Sequence, residues 1–398
     1  MWDQVEVAER DPILGLNEAF RNDPRPHKIN LSVGVYQDER GQTPLLDCVA
    51  EAEQRLAARR AAKNYLPIPG APAFARVIDE LLWGAAAPAV AERRTAFAQT
   101  PGGTGALRVV ADFLHAVFPR ATVWLSAPTW PNHPQIFAAA GVPCRTYPYF
   151  DAAANGLDLP GMLAAIAGMP PGDVILLHGC CHNPTGVDPQ PDQWRQIAEA
   201  VRRAGVVPLV DFAYQGFAEG IDADAEGLRL LSAAPGAEVL ACASFSKNFS
   251  LYNERVGAVG VLAASHRDAA AVQSQLNRAI RANYSNPPAH GAQVVECVLG
   301  DPRLRSLWID EVAAMRSRIL GMRTALVQAL VDRGVPGDYS FIAAQRGMFS
   351  FSGLTPAQVD RLQTEYGIYI VRSGRINVAG LTPDNLPLVA DAIGQVAA

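Results

Sequence analysis

Three features of the sequence predict an α/β fold built on a buried, mostly parallel sheet. Short apolar or β-branched runs alternate with longer Ala- and Arg-rich amphipathic stretches, the runs are apolar on both faces, and polar residues collect at their carboxyl ends. Strands covered by helices on both sides show this lack of inside-out alternation. The strand candidates are Thr122 to Ser126, Val174 to Leu177, Val206 to Val210, Val239 to Ser244 and Ala258 to Leu262. Between them, Gln193 to Arg203 puts Trp194, Ile197, Ala198 and Val201 on one stripe and Arg195, Glu199 and Arg202 on the other, the pattern of a surface crossover helix. The stretch Leu66-Pro67-Ile68-Pro69-Gly70-Ala71-Pro72 reads as a structured turn, because an amphipathic segment follows at once. Beyond Gly300 comes a long helical stretch, Leu304 to Asp332, and then short strand-like runs at Tyr339 to Ile342, Met348 to Phe351, Ile368 to Val371 and Arg375 to Val378. This change of pattern puts a domain boundary inside the long helix.

A chain of 398 residues is longer than a single hydrophobic core usually supports, so two domains are expected. Hydrophobic residues make up 49% and charged residues 18%, and no apolar run reaches membrane-spanning length. The start, Met1-Trp2-Asp3-Gln4-Val5-Glu6, carries no signal- or transit-peptide pattern, which suggests a cytoplasmic protein. A net charge of −5, with both signs interspersed, argues against nucleic-acid or anionic-membrane partners and favours a small substrate. The six cysteines form no C-x-x-C pair, and Cys180-Cys181-His182 lacks zinc-site spacing, so free thiols and no metal are expected.

In open α/β sheets ligands sit at the carboxyl ends of strands. One candidate strand runs into Asp211 and another into Ser244-Phe245-Ser246-Lys247-Asn248. An Asp and a Lys 36 residues apart read equally well as a structural ion pair. Thr100-Pro101-Gly102-Gly103-Thr104-Gly105 opens a helical stretch, where free N–H groups and the helix dipole suit an anion and glycine permits close approach. It matches neither the P-loop nor the dinucleotide fingerprint, and an ordinary glycine-rich turn fits it as well. His178-Gly179-Cys180-Cys181-His182-Asn183-Pro184-Thr185-Gly186 follows another strand and points to a sharp turn, open to a cis Asn-Pro bond. Arg255 lies eight residues after Lys247, and Arg375 opens an apolar run, where a bidentate carboxylate contact is natural.

Taken together, Asn183-Pro184-Thr185-Gly186, Asp211-Phe212-Ala213-Tyr214-Gln215-Gly216-Phe217, Ser244-Phe245-Ser246-Lys247-Asn248, Tyr252-Asn253-Glu254-Arg255-Val256-Gly257 and Ser373-Gly374-Arg375 resemble, in order and spacing, the aspartate aminotransferases and their aromatic-aminotransferase relatives. The resemblance runs from Asp11-Pro12-Ile13-Leu14-Gly15-Leu16 to Thr382-Pro383-Asp384-Asn385. It implies a large domain, residues 43–314, with a mostly parallel seven-stranded sheet flanked by helices; a small α/β domain, residues 11–42 and 315–398; and an arm, residues 1–10, laid on a partner subunit.

It also implies the cofactor pyridoxal 5′-phosphate, held by Lys247 as an internal Schiff base. A lysine suits this because its amine condenses with the aldehyde, is displaced by the substrate amine, and then carries a proton between Cα and the cofactor. Asp211 faces the pyridine nitrogen and keeps the ring an electron sink. Tyr214 and Asn183 hydrogen-bond the phenolic oxygen, and Trp130 stacks on the ring. Gly102, Gly103, Thr104, Ser244, Ser246 and Arg255 surround the phosphate, joined by Tyr65 from the second subunit of a homodimer. For the substrate, Arg375 grips the α-carboxylate, Trp130 and Asn183 line the pocket, and Gly34 lets the backbone close over the ligand. Arg281 reaches across the dimer to a side-chain carboxylate, favouring aspartate and glutamate as amino donors to 2-oxo acids.

Val35, Thr43, Asn64, Thr104 and Asn286 resemble the aspartate-preferring group, whereas Gln37 stands where that group often carries Lys and aromatic enzymes often carry Tyr. An aromatic aminotransferase is therefore the alternative. A lyase or decarboxylase on the same fold is disfavoured by the Arg375 and Arg281 pair, and a DNA-binding regulator by the lack of an added domain. Ser250 replaces a frequent glycine, so a local backbone adjustment is expected there.

Overall fold

Strands that are apolar on both faces need cover on both sides, and all five candidate runs lie in one seven-stranded sheet in the computed structural model. The structure describes residues 1–7 and 14–397, so the start of the Asp11-Pro12-Ile13 motif and part of the expected arm lie outside the described residues. The strands are Thr95–Pro101 (β1), Val123–Ala127 (β2), Cys144–Pro148 (β3), Val174–His178 (β4), Val207–Phe212 (β5), Val239–Ser244 (β6) and Val256–Leu262 (β7), in the order β1-β7-β6-β5-β4-β2-β3. β7 pairs antiparallel with β1 and β6 and the remaining neighbours are parallel, so β7 alone runs against the rest.

Two strands go beyond the sequence expectation. β1, Thr-Ala-Phe-Ala-Gln-Thr-Pro, contains no Val, Ile or Leu, and its two alanines and Gln99 weaken the apolar run. β3, Cys-Arg-Thr-Tyr-Pro, is an edge strand whose exposed Arg145 and Thr146 remove the apolar signature. The helix Gly102–Val117 covers one face of the sheet, where Leu107, Val110 and Phe113 join Val123, Leu176, Leu209 and Val259 in one buried cluster. The crossover helix spans Pro191–Ala204. It starts on a Gln190/Gln193 capping box, ends at Gly205 with φ 67°, and buries Trp194, Ile197 and Val201.

The chain divides into two units: residues 1–43, 184–186 and 318–398, and residues 44–183 and 187–317. The division falls between Ser317 and Arg318, inside the helix Pro302–Asp332. Pro184–Gly186, which a linear division leaves in the larger unit, group with the smaller one. In the smaller unit Ile29–Asn30 pairs parallel with Ile368–Tyr369, and Phe349–Phe351 pairs antiparallel with Arg375–Asn377. The strand-like Tyr339 to Ile342 run is instead part of a short helix, Ser340–Ala344, that buries Ile342. The cis peptide among the described residues is Ala127–Pro128, so the Asn183–Pro184 bond is trans. No helix of the described residues is long and apolar enough to cross a membrane.

The turn after β6 is anchored from below. Trp308 is fully buried, stacks on Phe249 with ring centroids 4.7 Å apart, and donates its indole N–H to the Asn248 carbonyl at 2.7 Å. Ser250 keeps the left-handed backbone, φ 55°, that glycine adopts freely, and its hydroxyl donates to the Pro44 carbonyl at 2.6 Å. A side-chain hydrogen bond thus accompanies the left-handed backbone at Ser250. Replacing Trp308 by alanine removes the ring stack and leaves a buried carbonyl unpaired. We expect Trp308→Ala to lower the unfolding free energy by about 3–5 kcal/mol in urea titration, whereas a loss under about 1 kcal/mol would contradict this anchoring role.

Candidate active site

Strand register gathers polar side chains at one end of the sheet. His178 stands opposite Asp211 across β4 and β5, and Gly257 stands opposite both Ser244 and Thr100. Asp211, Ser244 and Lys247 therefore lie at the carboxyl ends of adjacent parallel strands, the usual ligand-binding edge.

Asp211 is buried and lies 3.2 Å from Nε2 of the buried His133, whose Nδ1 is 2.7 Å from the Thr129 hydroxyl. An Nε2–H tautomer satisfies both contacts: Thr129 donates to Nδ1 and the imidazole donates to the carboxylate. Burial lowers the pKa of His178 to about 3, reinforced by His133 and opposed by Asp211, and it holds His182 well below its ordinary value. Both imidazoles are therefore neutral, and His178 stands across the strand pair from Asp211 without a charge of its own. Trp130 meets His133 edge-on, with ring centroids 5.2 Å apart.

The Lys247 ammonium lies 4.8 Å from the centroid of the buried Tyr214 ring. Burial lowers its pKa to about 8; Asp211 acts the other way and Arg255 adds to the fall. Arg255 donates from Nη1 to the Ser246 hydroxyl at 3.0 Å, and Ser244 Oγ lies 3.3 Å from the same hydroxyl. Glycine is required alongside. A Cβ on Gly102, at φ 74°, would fall 2.4 Å from Arg255 Nη2, and one on Gly257 would fall 2.4 Å from the Gly102 carbonyl carbon. Gly103 and Thr104 occupy the first turn of the helix Gly102–Val117, so their N–H groups, two hydroxyls and a guanidinium make up a set of donors that could hold an anion.

Two carboxylates that sequence reasoning missed shape the adjoining loops. Asp188 accepts from the N–H groups of Cys181 at 2.6 Å and His182 at 2.8 Å, just before the buried Asn183. Asp224, also buried, accepts from the N–H groups of Gly216, Ala218, Glu219 and Gly220, just after Tyr214. His133 was missed as well, although it stands in the same segment as Trp130.

Tyr65 is 90% exposed and Arg281 is exposed, its guanidinium bonded to the Ser285 hydroxyl. Arg281 also lines a surface groove of about 1010 Å³ with Arg108, Phe113 and Arg278, and neither Lys247 nor Asp211 lines that groove. The smaller unit holds the other two predicted residues. Arg375 is 3% exposed, donates to the Ser32 carbonyl at 2.6 Å, and stands 4.2 Å from the Phe349 ring centroid. A Cβ on Gly34 would meet Phe349 Cζ at 2.6 Å, so ring packing within this unit already requires glycine there.

Residues 26–393 match the family model of class I and II aminotransferases, and the chain belongs to that family. It is 52% identical over 396 residues to the aspartate aminotransferase of Salmonella typhi, with all of both chains covered. It is 50% identical to the aromatic-amino-acid aminotransferase of Pseudomonas aeruginosa, covering 99% of this chain and 98% of that one. The crystal structure of the aromatic-amino-acid aminotransferase from Burkholderia pseudomallei, covalently bound to pyridoxal phosphate, superposes with a TM-score of 0.97 at 51% identity over the whole of both chains.

The charges around Lys247 make a signed prediction for cofactor-free protein. Modification of its amine by a water-soluble acylating probe is expected to rise with pH through a midpoint near 8, well below the ordinary lysine value of about 10.4. Asp211→Asn removes the charge that favours the ammonium and moves the midpoint down; Arg255→Gln moves it up. A midpoint above about 10 in the unsubstituted protein would contradict the assigned environment.

Proposed function

We propose that this chain is a pyridoxal-phosphate-dependent aminotransferase that exchanges the amino group between L-aspartate and 2-oxoglutarate, giving oxaloacetate and L-glutamate by a ping-pong mechanism. The observation that carries this reading is a lysine of depressed pKa beside a buried carboxylate, next to an anion cradle that excludes side chains at Gly102 and Gly257. These residues fit a flat, phosphorylated, ring-nitrogen cofactor: the cradle suits its phosphate, Asp211 its pyridinium, and Lys247 its aldehyde. Bound pyridoxal phosphate supplies an electrophilic carbon for amines and a ring that withdraws electrons from the substrate carbon losing its proton.

The chain's own residues do the rest. Lys247 Nζ, neutral in a large fraction of molecules near pH 8, is nucleophile and then base, taking the proton from the substrate Cα. Asp211, oriented by His133 and Thr129, holds a proton on the pyridine nitrogen. Tyr214 and Asn183 hydrogen-bond the phenolic oxygen, and Trp130 stacks on the ring. Gly102, Gly103, Thr104, Ser244, Ser246 and Arg255 take the phosphate.

Arg375 binds the substrate α-carboxylate with its planar fork, and Gly34 lies under the closing backbone. Substrate also contacts Trp130 and Asn183. The enzyme works in the cytoplasm as a homodimer, with residues 1–10 as an arm on the second subunit. Tyr65 and Arg281, exposed in the single chain, complete the partner's site at the phosphate and at the side-chain carboxylate. The larger domain, residues 43–314, carries the cofactor, and the smaller one carries Arg375.

A second reading, aromatic amino-acid transamination with 2-oxoglutarate, is favoured by nearly equal identity to relatives of both names. Comparing kcat/KM for aspartate with the values for tyrosine and phenylalanine separates the two. In the proposed reaction the yellow protein bleaches with aspartate or cysteine sulfinate, recovers its colour with 2-oxoglutarate, and gives parallel double-reciprocal lines. Intersecting lines, or ammonia or an amine released in place of a 2-oxo acid, would exclude transamination.

A further inference from the structure

Arg323 is 0% exposed, an unusual position for a guanidinium. It projects from the helix Pro302–Asp332 and donates to the carbonyls of Ile342 at 2.9 Å, Arg346 at 3.2 Å, Gly347 at 2.7 Å and Phe349 at 2.7 Å, and to the Ser350 hydroxyl. Burying a guanidinium is costly, and an apolar side chain of similar length would fill the space more cheaply. What an apolar chain cannot do is fix four carbonyls at once across the turn that links the helix Ser340–Ala344 to the strand Phe349–Phe351, and the planar fork of arginine does.

That turn leads to Arg375. It runs into the strand Phe349–Phe351, whose antiparallel partner is Arg375–Asn377, with Phe351 opposite Arg375. The Phe349 carbonyl is held by Arg323, while its ring packs under the Arg375 guanidinium, 4.2 Å from ring centroid to guanidinium carbon, and against Gly34. The same small sheet holds the segment around Gly34: Asn377 donates to the carbonyls of Val33 at 2.7 Å and Val35 at 2.9 Å, and Arg375 donates to that of Ser32. One uninterrupted set of contacts thus joins Arg323 to the ring that supports Arg375.

We infer that Arg323 is a positioning residue for carboxylate recognition: it fixes the 342–350 turn, and through Phe349 it sets the plane of the Arg375 guanidinium. The inference rests on the proposed role of Arg375 as the ligand of the substrate α-carboxylate. A lysine keeps the charge but cannot span the acceptors, so Arg323→Lys tilts the Phe349 ring while leaving Lys247 and Asp211 untouched.

The test uses the cofactor-loaded enzyme. Arg323→Lys is expected to raise KM for both the amino acid and the 2-oxo acid, and the Kd of the unreactive dicarboxylate maleate, by about tenfold, with a smaller change in kcat. The pH midpoint of the bound cofactor's absorbance should stay where it is. Phe349→Leu should reproduce this pattern, and it decides the matter if Arg323→Lys does not fold. Wild-type KM and Kd in a folded Arg323→Lys, whatever its melting temperature, would show a role in stability alone and overturn the inference. So would the same values in Phe349→Leu if the lysine variant fails to fold, or a moved absorbance midpoint. If the unsubstituted protein neither takes up the cofactor nor transaminates, it is the reading of the site that fails, a result distinguishable from wild-type KM in the variants.

Discussion

A protonated amine is stable in water and costly in a low-dielectric interior, and the site depends on keeping Lys247 between those limits. Burial drives its pKa down to about 8, the Arg255 guanidinium pushes the same way, and the Asp211 carboxylate resists. The amine is thereby ready for nucleophilic and base chemistry near neutral pH. Beside Asp211 the His178 imidazole is held neutral by burial, and His133 sits at hydrogen-bond distance with its far nitrogen occupied by Thr129.

The sheet supplies the geometry for that balance. Parallel strands end side by side, so β5 and β6 deliver Asp211 and the Ser244–Lys247 segment to one edge, and the reversed β7 brings Gly257 between Ser244 and Thr100. Only glycine fits at 102 and 257, where backbone and the Arg255 guanidinium crowd together. The loops beyond the strands are held by buried acceptors in place of regular pairing: Asp188 fixes the turn before Asn183, and Asp224 gathers four N–H groups after Tyr214. In the smaller unit Arg323 has the complementary task, a buried donor collecting carbonyls. Each satisfies main-chain groups that an irregular loop would otherwise leave unpaired.

The parts legible in the sequence were those with a local signature. Strands β2, β4, β5, β6 and β7 stand out because they are apolar on both faces, and the crossover helix shows as a stripe of Trp194, Ile197 and Val201. Strand β1 was hidden by its alanines and β3 by its exposed edge, and the aromatic Tyr339 to Ile342 run looked extended although it folds as a helix. Lys247, Asp211 and the glycine turn could be picked out as strand-end residues, but their meaning came from the order of several motifs together. The supporting contacts could not be read that way. His133 and Asp211 are 78 residues apart, and Arg323 meets its acceptors 19 to 27 residues on, through a turn of no recognisable pattern. Such partners are fixed by tertiary packing, which leaves no periodic trace.

The central claim is that one amine, at position 247, carries the cofactor. Borohydride reduction of the cofactor-loaded, folded protein, followed by proteolysis and mass mapping, tests it most directly. The account predicts a single pyridoxyl adduct, on the peptide containing Ser246-Lys247-Asn248. An unlabelled Lys247 peptide in protein saturated with cofactor would contradict it.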